Sequence, residues 1–167
     1  MHWPLDRLAG RGAGRRMIGW RASGEGFCDL AMVSGSLAAT REALCAADVP
    51  IARVVRWQWR RADGEKVRFS FACPHDPALP FLVSPFEPCQ RHPTVVEHAN
   101  GARSLSRIWL EAPAARHAEL RRLIGDDPTI VLGAAPDHGV RAIALVGLGA
   151  PLDPGLLHGA EIRMAPR

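Results

Sequence analysis

The feature that most constrains the fold is a pair of strand-like runs joined by an Asp-Gly turn. The runs ARVVRWQW (residues 52–59) and KVRFSFA (66–72) are rich in β-branched and aromatic residues, and Asp63-Gly64 lies between them. This dipeptide between two apolar runs is a strong signal for a β-hairpin. The run LPFLVSPF (79–86), bounded by prolines, predicts a third strand beside the hairpin.

The elements around this hairpin occur in an order that the chain uses twice. A strand-like run at 27–33 precedes a helix that Ser36 can cap, and the three strands follow. After residue 103 the same order recurs, with a strand at 104–111, a helix at 114–124 and three more strand-like runs. We therefore predict an α+β fold of two βαβββ modules that pair into a curved double sheet, with a concave pocket.

These patterns also predict where the segments begin and end. Residues 1–26, rich in glycine and arginine, are expected to be a lead-in outside the core. The first module is predicted at 27–90, a connector at 91–103 and the second module at 104–167. At 167 residues, the two modules together fit one domain.

Composition argues against several classes of partner. The net charge of +4 comes from arginines scattered through every segment, with Lys66 as the one lysine, so we expect no nucleic-acid partner. The four cysteines form no CxxC pair, which favours a reduced, cytoplasmic location. No apolar run approaches the roughly 20 residues that span a bilayer, and we expect no membrane partner. Sheet edges shared between subunits would give a homodimer.

The first hairpin strand alternates tryptophans with polar residues. Trp57 and Trp59 share one face, and large aromatics at this period predict core packing. That choice turns Gln58 and Arg60 towards the pocket, and Arg68 on the next strand extends the polar strip. The reverse orientation is the alternative.

The connector concentrates polar residues that could face a ligand. Arg91 and His98 are interpreted as groups that orient an anionic or carbonyl-bearing ligand, and Asn100-Gly101 as a tight turn at the same rim. The alternative is that Arg91 pairs with a nearby glutamate and that Asn100 only shapes the turn. We expect a small-molecule ligand in either case.

The βαβββ repeat, GFCDLAMVSGSL (26–37), RRADGEKVRFSFA (60–72) followed by LPFLVSPF, and RHP…HANGA (91–102) together resemble the glyoxalase-like domain proteins of the vicinal oxygen chelate superfamily. Those proteins begin with a further module that carries a histidine and a glutamate, and this module is expected to be missing here. The resemblance implies a site for a divalent metal, for which Asp29, His92 and Glu161, with His98, are the candidate ligands. The alternative is that these scattered residues are surface groups and that no metal binds.

Two functions follow from this resemblance. One is a metal-assisted or metal-free lyase, isomerase or oxygenase acting on a small polar or anionic metabolite. The other is a module of the same fold that binds or sequesters its ligand without converting it. No histidine stands on either opening strand, where the superfamily takes a metal ligand, and this favours the second function.

Overall fold

The structure, a computed structural model, describes residues 13–22, 24–90 and 98–166. These residues form two compact units. The first contains 13–22 and 30–90, and the second contains 24–29 and 98–166. Within the described residues, no helix is long and apolar enough to cross a membrane.

The first unit is a four-stranded sheet with two helices. Its elements, in chain order, are α1 (Ala13–Ala22), β1 (Ala31–Val33), α2 (Leu37–Ala46), β2 (Val55–Arg60), β3 (Lys66–Ala72) and β4 (Phe81–Val83). The strands lie in the order β1-β4-β3-β2, in which β1 runs parallel to β4 and the other pairs are antiparallel. The helix and all four strands predicted for this module are confirmed, although β1 is shorter than its apolar run.

The Asp63-Gly64 hairpin forms as predicted. Arg61 N–H donates to the Glu65 carbonyl at 2.9 Å, and Gly64 N–H donates to the Arg61 carbonyl at 3.0 Å. Gly64 has φ +86°, a conformation that favours glycine. The turn sets a register in which Trp57 lies opposite Phe69.

Helix α1 corrects, for residues 13–22, the prediction that the glycine- and arginine-rich lead-in stands outside the core. Ala13 is buried in a cluster with Cys73, and the Arg16 side chain is only 3% exposed. Arg16 donates to the Leu79 carbonyl at 2.6 Å, and its guanidinium lies 5.7 Å from the centre of the Phe81 ring. Such a bond satisfies part of the hydrogen-bonding need of a buried cation, which allows a glycine- and arginine-rich segment to pack against a sheet.

The tryptophans of β2 correct the prediction of core packing. Trp57 is 48% exposed and Trp59 is 39% exposed. The rings of Trp59 and Phe69 meet edge to face at 5.5 Å, and Trp59 meets Phe86 at 5.7 Å. Since α1 lies against Phe71 and Phe81 on β3 and β4, the outer strand β2 keeps its aromatic side partly open to solvent.

The core of the first unit forms where α2 and the central strands meet. The Ser36 hydroxyl accepts a hydrogen bond from Ala39 N–H, so the predicted cap is present. Leu37 and Leu44 are the buried residues of α2, and Leu82 on β4 is 2% exposed.

The second unit contains the other four strands. Its elements are β5 (Ser104–Ala112), a 3-10 turn (Ala114–Arg116), α3 (His117–Ile124), β6 (Ile130–Ala134), β7 (Gly139–Val146), a second 3-10 turn (Pro154–Leu156) and β8 (Glu161–Met164). Leu120, Leu123 and Ile124 are the buried stripe of α3, as the sequence predicts. The α+β class and the two four-stranded sheets are therefore confirmed.

The two sheets differ in strand order, although their elements follow the same order along the chain. The second sheet runs β6-β5-β7-β8, with its opening strand β5 inside the sheet, whereas the opening strand β1 lies at the edge of the first sheet. The short link 125–129 places β6 beside β5 in a parallel pair, but the longer link 47–54 leads to the far edge of the first sheet. The order of elements along the chain is therefore repeated, whereas the strand order within the sheets is not. The pairing of the two modules into one double sheet stays a prediction.

Candidate functional site

A polar patch on β2 and β3 forms the main wall of the candidate site. The register places Arg56 directly opposite Ser70, and Gln58 directly opposite Arg68. Residues at alternate positions share a face of a sheet, so these four side chains form one square with the two arginines at diagonal corners. They line a cavity of about 600 Å³ in the first unit.

The chain after β4 supplies the second wall of this cavity. Ser70 N–H donates to the Ser84 hydroxyl at 2.9 Å, and that hydroxyl donates to the Pro85 carbonyl at 2.9 Å. Further along, the backbones of Arg68 and Glu87 exchange two hydrogen bonds, each 2.8 Å long. Ser84, Pro85 and Glu87 consequently line the same cavity as the polar patch.

Sequence reasoning missed this second wall for a physical reason. Ser70 pairs with Ser84 but Arg68 pairs with Glu87, so one extra residue is accommodated between the two pairs. Such an irregularity breaks the alternation from which facing residues are predicted. Pro85 was the available signal, because proline is common where a strand departs from regular pairing.

The chemistry of the cavity favours binding of negative charge. Arg56 and Arg68 bring two guanidinium groups, Gln58 an amide and Ser70 a hydroxyl, while Glu87 brings one carboxylate. The aromatic residues Trp57 and Phe69 also line the cavity. Guanidinium groups bind carboxylates and phosphates through paired hydrogen bonds. The Ser84 hydroxyl has both its proton and an acceptor position engaged with backbone groups, which suits a structural role better than a nucleophilic one.

Arg60 lies at the hairpin end of the predicted strip, beyond the cavity. Its guanidinium donates to the Gly64 carbonyl at 3.1 Å, and it is not among the residues that line the cavity. Gln58 and Arg68 do line the cavity, so the structure brings these two predicted ligand residues together and places Arg60 apart from them.

The connector residues have a structural setting in the second unit. Asn100 accepts a hydrogen bond from Ala102 N–H through its side chain and one from Gly149 N–H through its carbonyl. Gly101 N–H donates to the His98 carbonyl at 2.8 Å and so closes the turn. This matches the interpretation that Asn100 shapes the turn. Arg91 lies outside the described residues, and a ligand role for His98 stays a prediction.

The candidate metal ligands are not assembled among the described residues. His92 lies outside them, and the described parts of the chain contain no group of three His, Cys, Asp or Glu residues that could hold a metal ion. Asp29 lies in the segment 24–29, which is part of the second unit. The Glu161 carboxylate accepts hydrogen bonds from Arg163 at 2.8 Å and 2.7 Å, and these bonds hold the pKa of Glu161 below its usual value.

The comparison with known families agrees with this architecture. A family model described as a glyoxalase-like domain matches residues 5–124, which is more than half of the chain. The chain therefore belongs to the glyoxalase-like domain family, within the vicinal oxygen chelate superfamily. No curated protein and no solved structure matches it.

Proposed function

We propose that this glyoxalase-like domain protein binds a small anionic metabolite in the cavity between β2, β3 and the segment after β4. The observation that carries the proposal is the diagonal placement of Arg56 and Arg68 around this cavity, with Gln58 and Ser70 at the other corners. At about 600 Å³ the cavity lies within the range of small-molecule sites, roughly 300–1,000 Å³.

The diagonal spacing suggests a ligand with two anionic groups. Diagonal neighbours on a sheet face lie about 7–8 Å apart, a distance that long side chains bridge easily. Each guanidinium can then hold one carboxylate of a short dicarboxylate, while Gln58 and Ser70 donate to the remaining oxygens. Glu87 opposes such a ligand by charge repulsion, which makes its removal informative.

Isothermal titration calorimetry with succinate tests the proposal. We expect succinate to bind, and its uncharged analogue succinamide to bind far more weakly. Arg68→Gln removes one charge-assisted contact of about 1.5 kcal/mol and should weaken binding about tenfold. Glu87→Gln should strengthen it, because a repelling charge leaves the cavity.

Arg60→Gln is the matched control for Arg68→Gln. It removes the same charge from the same face of the hairpin, but Arg60 lies outside the cavity lining. Equal losses in the two variants, or equal binding of succinate and succinamide, would contradict the proposal.

We propose that the protein sequesters the bound ligand without converting it. The family resemblance implies an alternative, which is lyase, isomerase or oxygenase activity. Mass spectrometry separates these two after incubation with a deproteinised cell extract. A sequestering protein retains a metabolite of unchanged mass. Depletion of one metabolite with the appearance of a new mass would favour conversion.

The remaining proposals concern assembly and location. We propose a homodimer in the cytoplasm that contacts neither nucleic acid nor membrane. Cys28, Cys45, Cys73 and Cys89 are all free thiols, which fits a reducing compartment. Light scattering after gel filtration tests the assembly, and a monomer at micromolar concentration would contradict it.

A further inference from the structure

A second, smaller cavity lies between α1 and the aromatic side of the first sheet. Its volume is about 250 Å³. Most of its lining is apolar: Met17, Trp20, Phe69, Phe71, Cys73 and Phe81. Ala13 and Arg16 are the other described residues of the lining. The cavity is thus a site of different chemistry from the polar one.

The size and the lining together define an occupant. A dry apolar cavity of about 150 Å³ accepts benzene, and sites for drug-sized ligands begin at about 300 Å³. At about 250 Å³ this cavity matches one aromatic ring with a short substituent. Rings around it can meet such a guest edge to face or in offset stacks, which aromatic pairs prefer.

The same lining selects against a cationic occupant. A charged group that enters an apolar cavity gives up its water at a large cost in free energy. Arg16, the charged residue of the described lining, is buried, donates to Leu79 and lies over the Phe81 ring. Its positive charge adds repulsion against a cationic guest.

We propose that this cavity binds an uncharged molecule with a single aromatic ring, such as a short-chain alkylbenzene. The proposal does not depend on ligand binding in the polar cavity, although Phe69 lines both cavities. Along β3, Arg68 and Ser70 line the polar cavity and not the apolar one, and Phe71 lines the apolar cavity and not the polar one.

Cys73 supplies a direct readout because it lines the cavity and is only 4% exposed. In a variant with Cys28, Cys45 and Cys89 replaced by serine, Cys73 is the only thiol left to react with methyl methanethiosulfonate. If bound toluene shields the thiol, the rate falls by the factor 1 + [L]/Kd, about tenfold when the free toluene concentration is about ten times Kd.

Benzylamine is the control ligand, since it has nearly the same shape and carries a positive charge. It should leave the rate of Cys73 modification unchanged. A rate that toluene does not lower, or that benzylamine lowers equally, would overturn the proposal.

A cavity-filling variant gives a second test. Ala13→Leu extends a side chain from the lining into the cavity and should abolish the toluene-induced rise in melting temperature. Ala22→Leu makes the same change at an exposed position of α1 and should keep that rise. A folded Ala13→Leu protein that still gains stability from toluene would refute the site, and if that variant fails to fold, the Cys73 rates decide.

Discussion

Replacing Gly101 with alanine tests whether the connector is a structural turn. Gly101 has φ +79°, and a Cβ atom built there would come closer than 3.0 Å to the Gly147 carbonyl oxygen. The left-handed backbone costs alanine about 1–2 kcal/mol. Overlap with a backbone atom adds about 1–3 kcal/mol. We therefore expect Gly101→Ala to lower the free energy of unfolding by about 3 kcal/mol.

Gly24→Ala is the matched control for this experiment. Gly24 has nearly the same φ, +77°, it belongs to the same unit, and a Cβ atom there would meet nothing within 4 Å. The Gly24→Ala variant should lose only the backbone contribution to the free energy of unfolding, about 1 kcal/mol. Urea unfolding followed by circular dichroism gives both values, and the melting temperature of Gly101→Ala should fall by about 10 °C. Equal losses for the two variants would refute the contact between the turns at Gly101 and Gly147.

Two further predictions concern stability. A hydrogen bond from the Thr129 side chain, and secondly one from its backbone, lower the pKa of Asp127. The ionised carboxylate therefore stabilises the folded state at pH values above the ordinary carboxyl pKa. This stabilisation is lost as the pH falls through the lowered pKa. Asp127→Asn should therefore reduce stability at neutral pH and flatten its decline in acid, as measured by urea unfolding across pH, whereas an unchanged pH profile would count against this role. Leu82→Ala should cost about 2–5 kcal/mol, but Trp57→Ala should cost less than about 1 kcal/mol because its ring is half exposed, and the reverse ranking in the same assay would restore the core interpretation of Trp57.

The elements of this fold could be predicted from local patterns. Asp63-Gly64 marks the hairpin, Ser36 caps the helix it precedes, and the stripe on α3 follows helical spacing. Each of these signals depends on residues that lie within a few positions of one another, so it can be recognised in the sequence alone. Gln58 and Arg68 could be placed on one face for the same reason, because alternation is a local property of strands.

The wrong predictions concern residues whose burial or position depends on contacts with distant parts of the chain. Whether the Trp57 face is covered depends on where α1 packs, and no periodicity within β2 records that. The burial of Arg16 depends on the Leu79 carbonyl, 63 residues away. Glu87 reaches the cavity only because pairing becomes irregular after Ser84. Each of these contacts is tertiary, and tertiary contacts routinely override local preference.

The central claim, that the first unit holds a small anion between two diagonal arginines, is tested most directly by nuclear magnetic resonance. Backbone amide signals are assigned and followed as succinate is added. We predict saturable shifts concentrated at Gln58, Arg68 and Ser70, which disappear in Arg68→Gln and persist in Arg60→Gln. Shifts centred instead on His98 and Asn100, or none at these three strand residues, would contradict the account.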